Sequence, residues 1–118
     1  MDKLLFISIE DKNPDLILSF AFHDDRSGVK SLILQRAPPF EFALPDYERG
    51  VEVSMEGGTE YDNNLLQKVV INKGTMHLSA QHESYDIDIS NLSENDIAGI
   101  VEIINKQNFD SNFTVKIA

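Results

Sequence analysis

Cysteine is absent from the 118 residues. That excludes disulfides, thiolate catalysis and cysteine-based zinc sites. Long hydrophobic runs are also missing, and nothing approaches the ~20 apolar residues of a membrane-spanning helix. The first residues, MDKLLFISIEDK, hold a short apolar run before Glu10. It is too short for a signal-peptide core, and no small-residue cleavage site follows. A reducing cytoplasm is the expected compartment. Bases are scarce: 10 Lys and Arg stand against 20 Asp and Glu, a net charge of -10. Such a chain is expected to avoid nucleic acid and anionic membranes, and a basic partner is its natural complement. No basic patch interleaved with aromatics is found, which argues against a nucleic-acid-binding surface.

What is present describes an ordinary globular domain. Hydrophobic residues make up 42% and charged residues 25%, so a core can form and disorder is not expected. The length fits one domain, residues 1–118. Leu4 to Ile9, Leu16 to Phe22 and Val29 to Arg36 read as three strands. The connections between them are short, so they form an antiparallel meander. Pro38, Pro39 and Pro45 exclude a central strand from the next segment, which reads as a long loop with one helical turn around Phe40 to Leu44. Val51, Val53 and Met55 alternate with Glu52, Ser54 and Glu56, the pattern of a half-buried strand.

LLQKVVINKGTMHLSAQ is a hairpin turning at Asn72-Lys73-Gly74. Met76, Leu78 and Ala80 share one of its faces. Tyr85 to Ser90 alternates again. Ser93 is a good N-cap for a helix ending near Asn108, with Asp96 three residues on and an apolar stripe of Ile97, Ile100, Val101 and Ile104. Gly99 weakens that helix slightly and suits close packing. FTVKIA is a last short strand. The expected fold class is α+β: a mostly antiparallel sheet with one C-terminal helix packed on one face.

Charge is segregated along the chain. Glu41 to Asp62 holds seven acids and one base, Arg49, and His82 to Glu102 holds six acids and no base. Each block carries -6 against -10 for the chain, so the remainder is weakly positive. If the strands at Val51 and Ile87 share a sheet, Glu52, Glu56, Asp86 and Asp88 face the same way. A solvated face is the plain alternative. Against it stands the self-repulsion of clustered like charge, a cost to the fold that a binding role would account for. The residues assigned to partner binding are Glu48, Glu52, Glu56, Glu60, Asp62, Asp86 and Asp88.

Other constellations carry less. Asp86 and Asp88 share a strand face, but calcium needs six or more oxygens, and no loop supplies them. His77 and His82 fall short of a zinc ligand set. Ser79 or Ser84 near His82 and Asp86 suggests a hydrolase, yet no nucleophile elbow surrounds either serine. Gly57-Gly58 follows a strand without opening a phosphate-binding helix and reads as a turn. No catalytic residue, metal or cofactor is expected.

The stretch DYERGVEVSMEGG…YDNNLLQKVVINKGTMHLSAQ resembles a bacterial immunity-protein family, the one called Immunity protein 10. The likeness rests on Glu48-Arg49-Gly50, the alternating strand, Tyr61-Asp62 and the leucine-led hairpin turning at Gly74. It covers the middle third to half of the chain. It implies a non-enzymatic bacterial protein, encoded beside a toxin that it binds and neutralises, with the acidic patch mimicking the toxin's anionic substrate. A non-catalytic binding or regulatory domain whose acidity serves solubility is the alternative, and a homodimer through an exposed sheet edge stays open.

Overall fold

Short turns build the first half of the molecule. The structure is a computed structural model that describes residues 3–26, 28–58 and 63–118. Strands β1 (Leu4–Lys12), β2 (Asp15–Asp24) and β3 (Gly28–Arg36) form the antiparallel meander expected of their short connections. After a proline-rich excursion, β4 (Glu52–Met55) returns to pair antiparallel with β3. The first sheet thus has the order β1-β2-β3-β4.

The second sheet is β7-β6-β5-β8, built from β5 (Leu66–Asn72), β6 (Thr75–Ala80), β7 (Ser84–Asp88) and β8 (Thr114–Ile117). Gly74, at φ +85°, occupies the left-handed turn position of the β5–β6 hairpin. β8 runs parallel to β5, the one parallel pairing among these strands. A parallel return needs a crossover of a dozen or more residues. Helix α1 (Glu94–Gln107), lying between β7 and β8, supplies it. The two sheets are joined at a corner, where Val53 N–H donates to the Asn64 carbonyl and Leu66 N–H to the Val51 carbonyl, at 2.9 and 2.8 Å.

Alternation decides which side is dry. Leu18, Phe20 and Phe22 of β2, Leu32 and Leu34 of β3, and Val51 and Val53 point into one core. Met76, Leu78, Ile87 and Ile89 from the second sheet and Ile100, Ile103 and Ile104 from α1 complete it. Each such side chain contributes about 1.5–3 kcal/mol when fully buried. The helix packs on β1 and β2. A Cβ on Gly99 would lie 3.0 Å from Ile9 Cδ1, so glycine does permit the close approach. Ser93 caps the helix, its Oγ accepting from the Asp96 N–H at 3.1 Å.

The helix face differs from the expected stripe. Ile100, Ile103, Ile104 and Gln107 are the buried residues, while Ile97 and Val101 are half-buried. The stripe is rotated toward Ile103 because the last turn, through Gln107, is drawn into the sheet. Gln107 Nε2 donates to the carbonyls of Leu16 and Leu34, both at 3.0 Å.

Candidate functional site

The acidic residues on β4 and β7 do not share a sheet. β4 closes one edge of the first sheet and β7 one edge of the second, so the expected common face of Glu52, Glu56, Asp86 and Asp88 does not form. Each strand keeps its own alternation, and all four carboxylates are exposed. Local pattern determines inside against outside; the joining of strands into sheets depends on the whole chain. Glu48 is half-buried at the end of a short 3-10 helix, Asp46–Glu48. Glu60 and Asp62 lie outside the described residues, as does Tyr61.

The outer face bearing Asp86 and Asp88 is of mixed charge. Register continues the row from Asp86 through His77 and Val70 to Lys116, and the neighbouring row from Ser84 through Ser79 and Lys68 to Thr114. Acid at β7 therefore gives way to base at β5 and β8. Asp88 Oδ1 accepts from the Ser90 hydroxyl and backbone N–H. These two bonds, the hydroxyl's first, hold the Asp88 carboxyl below its ordinary value. By contrast Glu48, Glu52 and Glu56 have no ion-pair partner among the described residues.

Three residues on that outer face form a chain of hydrogen bonds. Asp86 Oδ1 lies 2.6 Å from His77 Nδ1, and His77 Nε2 lies 3.1 Å from Ser79 Oγ. The order carboxylate, imidazole, hydroxyl is that of a hydrolytic triad. The histidine is His77 rather than the His82 singled out in the sequence. Cross-strand pairing explains the contact, since His77 is directly opposite Asp86 and Ser79 lies two residues along. A working triad also needs oxyanion donors and a cleft that excludes water. Here Asp86 has 83% of its side chain exposed, on an open sheet face. Among the described residues no group of three or more His, Asp or Glu is arranged to hold a metal.

The most elaborate polar structure lies where the chain leaves β3. Arg36 is 2% exposed, yet its five N–H groups are all used. Nε donates to Glu41 Oε2 at 2.8 Å and Nη2 to Glu41 Oε1 at 2.9 Å, a two-pronged pair. Nη1 reaches the Gln107 carbonyl at 2.7 Å and Asp110 Oδ1 at 2.9 Å, and Nη2 also reaches Asp110 Oδ2 at 2.8 Å. The Phe109 ring lies over the guanidinium, 4.3 Å from Cζ to the ring centre. Burial works against this charge, but hydrogen bonds and charge from Asp110 and Glu41 outweigh it, so Arg36 stays protonated even more firmly than usual. The Arg36 hydrogen bonds in turn hold Asp110 below the ordinary carboxyl value.

This arrangement ties the β3–β4 excursion to the end of α1. The excursion contains a 3-10 helix, Pro38–Ala43, over the segment expected to make one helical turn. Arg49 braces it further: Nε donates to the Leu44 carbonyl at 2.9 Å, and Nη1 sits 3.3 Å from Asp46. Glu41, counted in the first acidic block, is thus spent on an internal pair. Facing outward are Phe40, Phe42, Leu44 and Tyr47, with exposures of 60, 82, 38 and 72%. A groove of about 270 Å³ runs beside them, lined by Phe40, Leu44, Glu48, Gly50 and Glu52 among others. None of the aromatic residues was singled out from the sequence. The available signal was three large apolar residues among prolines with neither helical nor strand periodicity.

Comparison with protein-family models, curated protein sequences and solved structures gives no match.

Proposed function

We propose that the chain is a non-catalytic binding protein of the bacterial cytoplasm that neutralises a cognate toxin by covering a basic surface on it. The observation that carries this reading is the set of acids on and around β4. Among the described residues Glu48, Glu52 and Glu56 have no ion-pair partner, the neighbouring Arg49 being turned to the Leu44 carbonyl and Asp46, so their mutual repulsion goes unrelieved there. A cation supplied from outside relieves it. The likeness of the stretch from Asp46 to Gln81 to Immunity protein 10 suggests the toxin as the kind of partner. Asp86 and Asp88 play a smaller part, because Lys68 and Lys116 share their face.

The test uses the product of the reading frame beside this one. Co-production should abolish that product's toxicity. Replacing Glu48, Glu52 and Glu56 together by Gln should slow association most at low salt, because exposed charges act across a screening length of about 10 Å at 0.1 M. Equal association rates at low salt would remove the acidic surface from the interface. A neighbouring product that is not a toxin would remove the immunity reading.

The Asp86–His77–Ser79 chain favours a hydrolase as the second reading. A fluorophosphonate reagent separates the two readings. Mass labelling of Ser79 that His77→Ala abolishes would establish an activated serine, whereas an unmodified protein leaves the binding reading in place.

A further inference from the structure

We infer that the Arg36-anchored excursion between β3 and β4 is the docking surface, and that its groove receives an arginine or lysine side chain presented on an apolar surface of a partner protein. The inference deepens the binding reading above and rests on it for the choice of partner. Three independent features converge. The first is exposure: Phe40, Phe42, Leu44 and Tyr47 are displayed on the one connection between β3 and β4, Ala37 to Val51. Large apolar side chains exposed together on one connection mark interaction sites, and aromatic side chains are the usual anchors.

The second is rigidity. A solvated loop needs no internal scaffold, yet this one is held from beneath by a buried guanidinium with every donor satisfied. Arg49 holds its far end. Fixing a loop before it binds removes part of the ordering cost of association. The scaffold therefore fixes the backbone that carries the aromatic side chains, which stay exposed rather than collapsing inward.

The third is the chemistry of the groove. Phe40 and Leu44 form apolar lining, and Glu48 and Glu52 bring two carboxylates that have no ion-pair partner among the described residues. An apolar stem with a cationic head matches that combination. At about 270 Å³ the groove falls below the ~300–1,000 Å³ of typical small-molecule pockets, and it suits one side chain. Arg36 and Glu41 also border it, but each is the other's partner and adds little net charge.

The probe is a blocked peptide, acetyl-Gly-Leu-Arg-Leu-Gly-amide, with a control carrying citrulline in place of arginine. Titration of the ¹⁵N-labelled protein should move amide signals of Gln35, Phe40, Leu44, Glu48 and Gly50 saturably. Citrulline should weaken binding about tenfold or more, since one charge-assisted contact is removed. Glu48→Gln with Glu52→Gln should do the same, and Phe40→Ser should weaken binding without lowering the melting temperature. Signals that move at β7 instead, or no saturable movement up to about 1 mM peptide, would overturn the assignment. With the neighbouring toxin as probe, Phe42→Ser with Tyr47→Ser should speed dissociation about tenfold or more. Toxin binding unaffected by that pair would discard this surface and keep the immunity reading. Peptide docking without toxin binding would do the reverse.

Discussion

Removing Arg36 is the sharpest perturbation the structure offers. Its side chain is 0% exposed and that of Glu41 only 12%, while Asp110 is 39% exposed. Arg36→Ala deletes both ion pairs, the bond to the Gln107 carbonyl and the contact with Phe109, and strands the Glu41 carboxylate in a dry site. Breaking a buried pair by removing one partner costs about 3–5 kcal/mol. Asp110 is screened by water, so its share is small, and most of the loss belongs to Glu41. Against a total stability of about 5–15 kcal/mol, this is a large fraction. Urea denaturation followed by circular dichroism measures it directly. With a urea slope of about 1–3 kcal/mol/M, the midpoint should fall by roughly 2 M. Arg36→Lys should lose a substantial part of this, because an ammonium cannot form the two-pronged pair. Replacing the set by uncharged residues, Arg36→Met with Glu41→Gln and Asp110→Asn, should recover much of the loss, since no charge is then stranded. A loss below about 1 kcal/mol for Arg36→Ala would show that water replaces the guanidinium readily and that the excursion is not anchored by it. A triple variant no better than Arg36→Ala would refute the stranded-charge explanation.

Three further outcomes follow from the same geometry. The Asp110 carboxyl is held below its ordinary value, so its stabilising effect is complete above the unfolded value of about 3.9 and is lost as pH falls through the folded one. The stability difference between wild type and Asp110→Asn, read from urea melts, should accordingly be constant near neutrality and shrink under acid. Ser93→Ala removes the cap on the Asp96 N–H and should cost about 1 kcal/mol, measured by the same melts. Gln107→Leu strips the Leu16 and Leu34 carbonyls of their donor and should cost about 1–3 kcal/mol, and Gln107→Glu should cost more, because it turns a carboxylate toward those oxygens. Equal losses for the two Gln107 variants would contradict the hydrogen-bond assignment.

Much of the fold is local, and local patterns were readable. Alternation at Val51 to Glu56 and at Tyr85 to Ile89 determines which side chains face water, since a strand's side chains have a period of two. Gly74, Ser93 and the short β1–β2 and β2–β3 turns act over a few residues, so the meander, the hairpin and the helix start could be read from neighbours alone. Only the tertiary structure decided which strands became neighbours. β4 and β7 ended in different sheets because β4 returns to β3 while β7 is carried by the hairpin. That separation divided one expected acidic face into two, and placed Lys68 and Lys116, from β5 and β8, on the same sheet face as Asp86 and Asp88. In the sequence Arg36 is simply a cation at the end of a strand. Its partners stand 5 and 74 positions away, and no short-range pattern couples Arg36 to Asp110. His77 likewise met Asp86 through cross-strand register across nine positions. Residue type and spacing determine what a segment can bury; which distant charges meet depends on how the sheets close around one core.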